Sequence, residues 1–220
     1  MKMPIRGVIF DLDGTLINTI EDIADSMNMV LEDLGREPLT YEEYKLKVGG
    51  GFRKLVASIC PDLEAGAYDR ALASLEESYR QNYMNKSRPY EGIGELLRIL
   101  GEKGIKMGIN TNKNQEYTDN LISKIFPDVD FMEKIGVDDR GYVKPDPTGA
   151  RLVARAMGLE ADELVYVGDS NVDMLTGENA GMLKIGVDWG FRGQEELRRY
   201  GADYIVYEPL EILDIIAKLK

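Results

Sequence analysis

The chain has 220 residues, with 27 lysines and arginines against 39 aspartates and glutamates, a formal charge of −12. So acidic a chain lacks the basic field of a general nucleic-acid binder, while 44% hydrophobic residues suffice for an ordinary buried core. It has no histidine and one cysteine, Cys60. That composition excludes Ser-His-Asp triads, Cys-His dyads, histidine- or cysteine-cluster metal sites and an intrachain disulfide. Any catalysis must rest on carboxylates, hydroxyls, amines or hard metal ions.

The opening residues show no secretory pattern, because the apolar stretch meets Asp11 almost at once. No run approaches the ~18 apolar residues of a membrane span. A soluble cytoplasmic protein, with neither membrane nor nucleic acid as partner, is expected.

Residues 5–10, rich in β-branched and aromatic side chains, predict a strand that ends in Asp11-Leu12-Asp13-Gly14-Thr15. Two carboxylates two residues apart can point to the same side, where like charges call for a cation or a proton between them. Gly14 permits a sharp turn and exposes backbone N–H groups to an anion. An Asx turn that merely closes a strand is the plainer alternative.

The next stretch reads as helix after helix: 21–34, 40–48, 51–59 and 64–85. Thr40 followed by Glu43 predicts a capping box for the second of these. No strand is expected there, so residues 17–88 form an all-helical module inserted into an α/β domain made of 1–16 and 89–220. Its most unusual stretch is Val48-Gly49-Gly50-Gly51-Phe52-Arg53. Three glycines weaken a helix, which leaves a plain linker or a substrate-facing loop in which Gly50 and Gly51 allow close approach and Arg53 meets an anionic group.

From residue 92 onward helices and strands alternate. Helices are predicted at 92–103, 148–157, 171–180 and 210–219, and strands at 105–109, 164–167, 183–187 and 204–206. Alternation of this kind implies βαβ units and a parallel, doubly wound sheet with both faces covered. In such sheets ligands bind outside the carboxyl ends of the strands. The second strand ends in Asn110-Thr111-Asn112-Lys113, whose hydroxyl and amide groups suit phosphate oxygens or the cap of the next helix. Lys144-Pro145-Asp146-Pro147 sets a lysine beside stiffening prolines, with Asp146 suited to an N-cap and Pro147 to the first helical position. The third strand ends in Gly168-Asp169, with Asp173 a turn into the following helix, where acids also favour the positive end of the dipole.

Each motif alone has a structural explanation. Together they bring four aspartates, a threonine and a lysine to one crevice. Oxygen-only ligands suit Mg²⁺. A metal, a lysine and hydroxyl donors around a nucleophilic aspartate are the parts of a phosphoryl-transfer site.

The four motifs, in this order, resemble those of the haloacid-dehalogenase superfamily, specifically phosphatases with a helical cap after the first strand. Asn179-Ala180-Gly181-Met182 and Trp189-Gly190-Phe191-Arg192 are similar to its phosphoglycolate-phosphatase branch. The resemblance implies a Rossmann-like core, a small phosphorylated metabolite as substrate and Mg²⁺ as cofactor. It implies Asp11 as the nucleophile that becomes aspartyl-phosphate and Asp13 as general acid, then base. Gly14, Thr111, Asn112 and Lys144 would bind phosphate. The metal ligands would be the Asp11 carboxylate, the Asp13 backbone carbonyl and the Asp169 carboxylate, with Asp173 a further ligand or an outer support. Asn18 stands where many relatives carry Asp, at a position expected to be structural. Asp13 disfavours the dehalogenase branch, and Thr15 leans away from the sugar-phosphate mutases. A phosphomutase on the same scaffold and an aspartyl-phosphate signalling receiver are the competing readings. A leaving-group acid and a helical insert serve no purpose in a receiver.

Overall fold

The structure is a computed structural model that describes residues 4–219. Met1 to Met3, part of the stretch read for a targeting pattern, and Lys220 lie outside the described residues. Two compact units are formed, one by the chain up to Ile17 together with Pro89 onward, the other by Asn18–Arg88.

β1 (Gly7–Phe10) opens the first unit, and the two-residue strand β2 (Ile17–Asn18) leads out of it. The second unit is helical: α1 (Ile20–Asp33), α2 (Tyr41–Lys45), α3 (Phe52–Ile59) and α4 (Ala65–Asn82). α1 turns Ile23, Met27, Val30 and Leu31 inward and packs against α4, which contributes Leu72, Leu75 and Tyr79. Repetition at three and four residues makes that apolar stripe, as the sequence predicts. The Thr40 capping box is present, with Glu43 N–H donating to Thr40 Oγ1 at 3.3 Å and Thr40 N–H to Glu43 Oε2 at 2.8 Å. Buried Asp22 accepts from the backbone N–H groups of Lys86 (2.9 Å) and Ser87 (2.7 Å), which anchors the segment after α4.

β3 (Arg88–Pro89) leads back. There follow α5 (Ile93–Glu102), β4 (Lys106–Asn114), α6 (Gln115–Ile125), β5 (Phe131–Val137), α7 (Thr148–Met157), β6 (Leu164–Gly168), α8 (Asn171–Ala180), β7 (Leu183–Val187), α9 (Gln194–Arg199), β8 (Tyr204–Val206) and α10 (Glu211–Lys218). Six parallel strands lie in the order β5-β4-β1-β6-β7-β8. β1 is central and wholly buried, and its last residue Phe10 is level with Ile109 on one side and Val167 on the other. The chain builds outward from β1 through β4 to β5, then crosses back to β6, β7 and β8. The strand order therefore switches at β1, and the crevice of such a sheet opens at the carboxyl ends there.

Six elements differ from the sequence expectation, two of them the short strands β2 and β3, which pair with each other at the ends of the stretch expected to hold no strand. β4 runs on to Asn114 instead of ending at residue 109, so the polar Asn110-Thr111-Asn112-Lys113 string belongs to the strand. β5 was not anticipated. It is an edge strand, paired only with β4 among the described residues, and carries Glu133 and Lys134 mid-strand, and charges of that kind are how edges avoid further pairing. The helices α6 and α9 were also unforeseen, α9 being only six residues long.

Candidate active site

The loop after β1 is wound tightly. Leu12 C=O accepts from Leu16 and Ile17, both at 3.0 Å, and Gly14 N–H donates to Ile17 C=O at 2.9 Å. Gly14 has φ of +88°, and a Cβ there would lie 2.3 Å from Asp169 Oδ2. Its own N–H is thus engaged within the turn, where Gly14 was expected to offer backbone N–H to phosphate. Gly14 is needed for the turn and for room beside Asp169. Thr15 is buried, its carbonyl accepts from the Trp189 indole N–H at 3.0 Å, and its Oγ1 has no hydrogen-bond partner among the described residues.

Asp11 leaves β1 with its N–H bonded to Val167 C=O at 2.9 Å. One oxygen each from Asp11, Asp169 and Asp173 lies within 4.8 Å of the others, and all three residues are buried. Lys144, also buried, reaches between two of them, with Nζ 2.7 Å from Asp11 Oδ1 and 2.6 Å from Asp173 Oδ1. The contact to Asp173 is a hydrogen bond. The one to Asp11 is close but misaligned, so Asp11 Oδ1 is left without a hydrogen bond among the described residues.

The electrostatics follow from crowding. Burial and then the neighbouring Asp173 charge push Asp11 up to about 7, against the pull of Lys144. Burial, Asp173 and Asp11 push Asp169 well above the carboxylate range. Burial works against the Lys144 ammonium, but Asp11 and Asp173 outweigh it and hold its pKa well above the usual lysine value. Fully ionised, three carboxylates against one ammonium would carry two net negative charges, which is why the metal-free site holds on to protons. A divalent cation would neutralise those charges, with Asp11 Oδ1, paired with the Lys144 ammonium but not hydrogen-bonded to it, as one candidate ligand atom. The all-oxygen donor set fits a hard cation such as Mg²⁺.

Asp169 is fixed from two sides. Phe191 N–H donates to its Oδ2 at 2.6 Å, and a Cβ at Gly190 would lie 2.2 Å from Asp169 Cβ. Asp173 sits in the first turn of α8, where its Oδ2 accepts from Ser170 N–H (3.0 Å) and Ser170 Oγ (2.6 Å). With Oδ1 on Lys144, both its oxygens are engaged, which suits a support for Lys144 better than a free ligand.

β4 supplies the other wall. Thr111 is buried, and its Oγ1 accepts from Lys113 N–H at 3.2 Å, leaving the hydroxyl proton to be donated. Asn112 spends its side chain on the backbone of Lys144, with Oδ1 accepting from Lys144 N–H at 2.7 Å and Nδ2 donating to its carbonyl at 3.3 Å. It is thus a strut for Lys144. Asp146 sits one residue before its expected place: Pro147 is the N-cap of α7, and Asp146 Oδ1 accepts from Thr148 N–H at 2.8 Å.

Sequence reasoning assigned nothing to two features. The first is Lys113, whose ammonium lies 2.9 and 3.1 Å from the two oxygens of Asp13. The second is the grip of Gly190 and Phe191 on Asp169. The strings containing both were conspicuous, but only tertiary structure shows what they touch.

In the helical unit, Gly49 and Gly51 have φ of +118° and +82°, Gly51 is the N-cap of α3, and Arg53 lies in the first turn of that helix. The glycine run is thus a loop.

Residues 8–187 match the haloacid dehalogenase-like hydrolase family. A phosphoglycolate phosphatase of Neisseria meningitidis is 32% identical over 192 residues, covering 85% of this chain and 82% of that one. The pyrophosphatase PpaX of Halalkalibacterium halodurans is 30% identical, over 97% of this chain and 98% of its own. A solved structure from Lactobacillus delbrueckii subsp. bulgaricus, named provisionally as a phosphoglycolate phosphatase, superposes with a TM-score of 0.92 at 27% identity, covering 97% and 99% of the two chains. No helix among the described residues is long and apolar enough to cross a membrane. The chain, with the sheet order and buried aspartate cluster described above, belongs to the haloacid dehalogenase-like hydrolases.

Proposed function

We propose that this chain is a Mg²⁺-dependent phosphatase that hydrolyses a small phosphorylated metabolite, with a phosphoglycolate-like substrate favoured, through an aspartyl-phosphate on Asp11. The observation that carries this reading is the buried Asp11 carboxylate at the end of the central strand, with one oxygen lacking a hydrogen bond and Lys144 beside it. Acid groups of this kind are poised for nucleophilic catalysis once their charge is matched.

In the first step an Asp11 oxygen attacks phosphorus in line. The ester oxygen leaves with its electron pair and takes a proton from Asp13. In the second step water attacks the phosphorus of the aspartyl-phosphate, Asp13 takes the water proton, and inorganic phosphate leaves as the Asp11 carboxylate reforms. Thr111 donates its hydroxyl to a phosphate oxygen. Lys144 draws negative charge from the phosphoryl group and is kept in place by Asn112 and Asp173. Asp11, Asp169 and the Asp13 carbonyl would hold Mg²⁺. When bound, it would neutralise the crowded carboxylates and the charge on the phosphoryl oxygens. Arg53 is proposed to read the part of the substrate beyond the phosphate.

The test is phosphate release from a panel of phosphate monoesters that includes phosphoglycolate. Turnover is expected with Mg²⁺, is silenced by EDTA and is absent in Asp11→Asn. Stoichiometric return of the phosphoryl group to a sugar, without release, would favour the mutase. Full turnover in EDTA would rule out the metal.

A further inference from the structure

Lys113 carries a buried charge beside Asp13 to which the proposed reaction gives no task. Its side chain is 4% exposed, whereas that of Asp13 is 15% exposed. A buried ammonium is costly unless paired, and its partner here is Asp13. The two contacts, at 2.9 and 3.1 Å, engage both carboxylate oxygens, so the ammonium sets the rotation of the carboxylate as well as its place. The pair is also tied to the rest of the site through the strand. Lys113 N–H donates to Thr111 Oγ1, and between them Asn112 holds the backbone of Lys144. Three consecutive residues of β4 thus carry a phosphate donor, a strut for the phosphate-holding lysine and the partner of the proton-transfer group.

We infer that Lys113 is a positioning residue that holds the Asp13 carboxylate where it meets first the leaving oxygen and then the attacking water. The inference rests on the phosphatase reading above. Proton transfer requires a heavy-atom separation near hydrogen-bond length, and a carboxylate at the lip of a site has several rotamers that miss it. Lys113 removes that freedom. With Oδ1 kept on the ammonium by the shorter contact, Oδ2 can give up its longer one to donate or take the proton, so the same pairing serves both half-reactions.

The decisive experiment is a kinetic double-mutant cycle of Lys113→Met and Asp13→Asn, with 4-nitrophenyl phosphate as probe. Nitrophenolate leaves without a proton, so phosphorylation of Asp11 should survive and only the water step should suffer. Lys113→Met should lower kcat and KM together by about tenfold to a hundredfold, leaving kcat/KM nearly unchanged, and should keep the rapid nitrophenolate burst. Lys113→Arg should recover most of the lost rate. In the Asp13→Asn background the Lys113→Met change should cost nothing further, because there is no longer a carboxylate to hold. The double variant contains neither charge and so leaves none unpaired. Its comparison with Asp13→Asn decides the matter even if Lys113→Met alone fails to fold. Losses that multiply in the double variant overturn the inference and leave the phosphatase reading intact. A rise in KM with kcat unchanged also overturns it, since Lys113 would then be touching substrate. A wild-type protein that releases no phosphate from any monoester overturns the phosphatase reading, and the inference with it.

Discussion

Asp11 shows how a single buried carboxylate links stability to chemistry. Its pKa is pushed up to about 7 by burial and then by Asp173, so the native state keeps this proton to a higher pH than the unfolded chain does. Between about pH 4 and 7 the native state therefore binds more protons, and this group's contribution to stability falls as pH rises. Asp11→Asn removes the ionisation. In metal-free protein the variant should gain stability relative to wild type as pH rises through that window, by on the order of 4 kcal/mol at most, and the difference should level off above about pH 8. Denaturant unfolding at several pH values in EDTA measures it. A difference independent of pH would mean that Asp11 ionises normally. Most residues of this site were legible as a set: Asp11, Asp13, Thr111, Lys144, Asp169 and Asp173 each close a predicted strand, open a helix or sit one turn into one. The partner of Asp13 was not. A lysine at a strand end reads by default as solvated, and nothing in one sequence says which way the side chain turns.

Among the elements, β4 and the loop after β7 carry the most. The alternating pattern made the central strands readable because buried parallel strands are continuous apolar runs. It failed where polarity served the site or the edge. β4 was cut short at its polar end, and β5 was missed because of its charges. The loop Trp189-Gly190-Phe191 locks Asp169 through backbone groups, which side-chain reading cannot see. Gly190→Ala would set a Cβ 2.5 Å from Gly14 C=O and still closer to Asp169. It should lower stability by about 1–3 kcal/mol and weaken Mg²⁺ binding, read as a smaller Tm rise on adding Mg²⁺. Gly193→Ala, three residues on, meets nothing within 4 Å and should do neither. The glycine run before α3 was legible as a loop from composition alone. If Arg53 there reads a carboxylate, Arg53→Ala should raise KM for phosphoglycolate by about 1.5–3 kcal/mol equivalent and leave 4-nitrophenyl phosphate almost unchanged. Equal loss on both substrates would assign Arg53 to the phosphate or to packing of the helical unit.

At the scale of the whole molecule, the sheet makes the chemistry local. β1, β4 and β6 are adjacent, and their carboxyl ends bring together residues from positions 11, 111 and 169. Lys144 joins them just before α7, and Asp173 from the first turn of α8. A chain without histidine thereby collects three carboxylates and an ammonium in one buried cluster. Every step proposed for it passes through a bond between Asp11 and phosphorus. The most direct measurement is therefore to quench the enzyme in acid during turnover of 4-nitrophenyl phosphate with Mg²⁺ and map the phosphorylated peptide by mass spectrometry. The account predicts an acyl phosphate on Asp11, lost on treatment with hydroxylamine and absent from Asp11→Asn. Turnover with no phosphate on Asp11, or with phosphate on another residue, would contradict it.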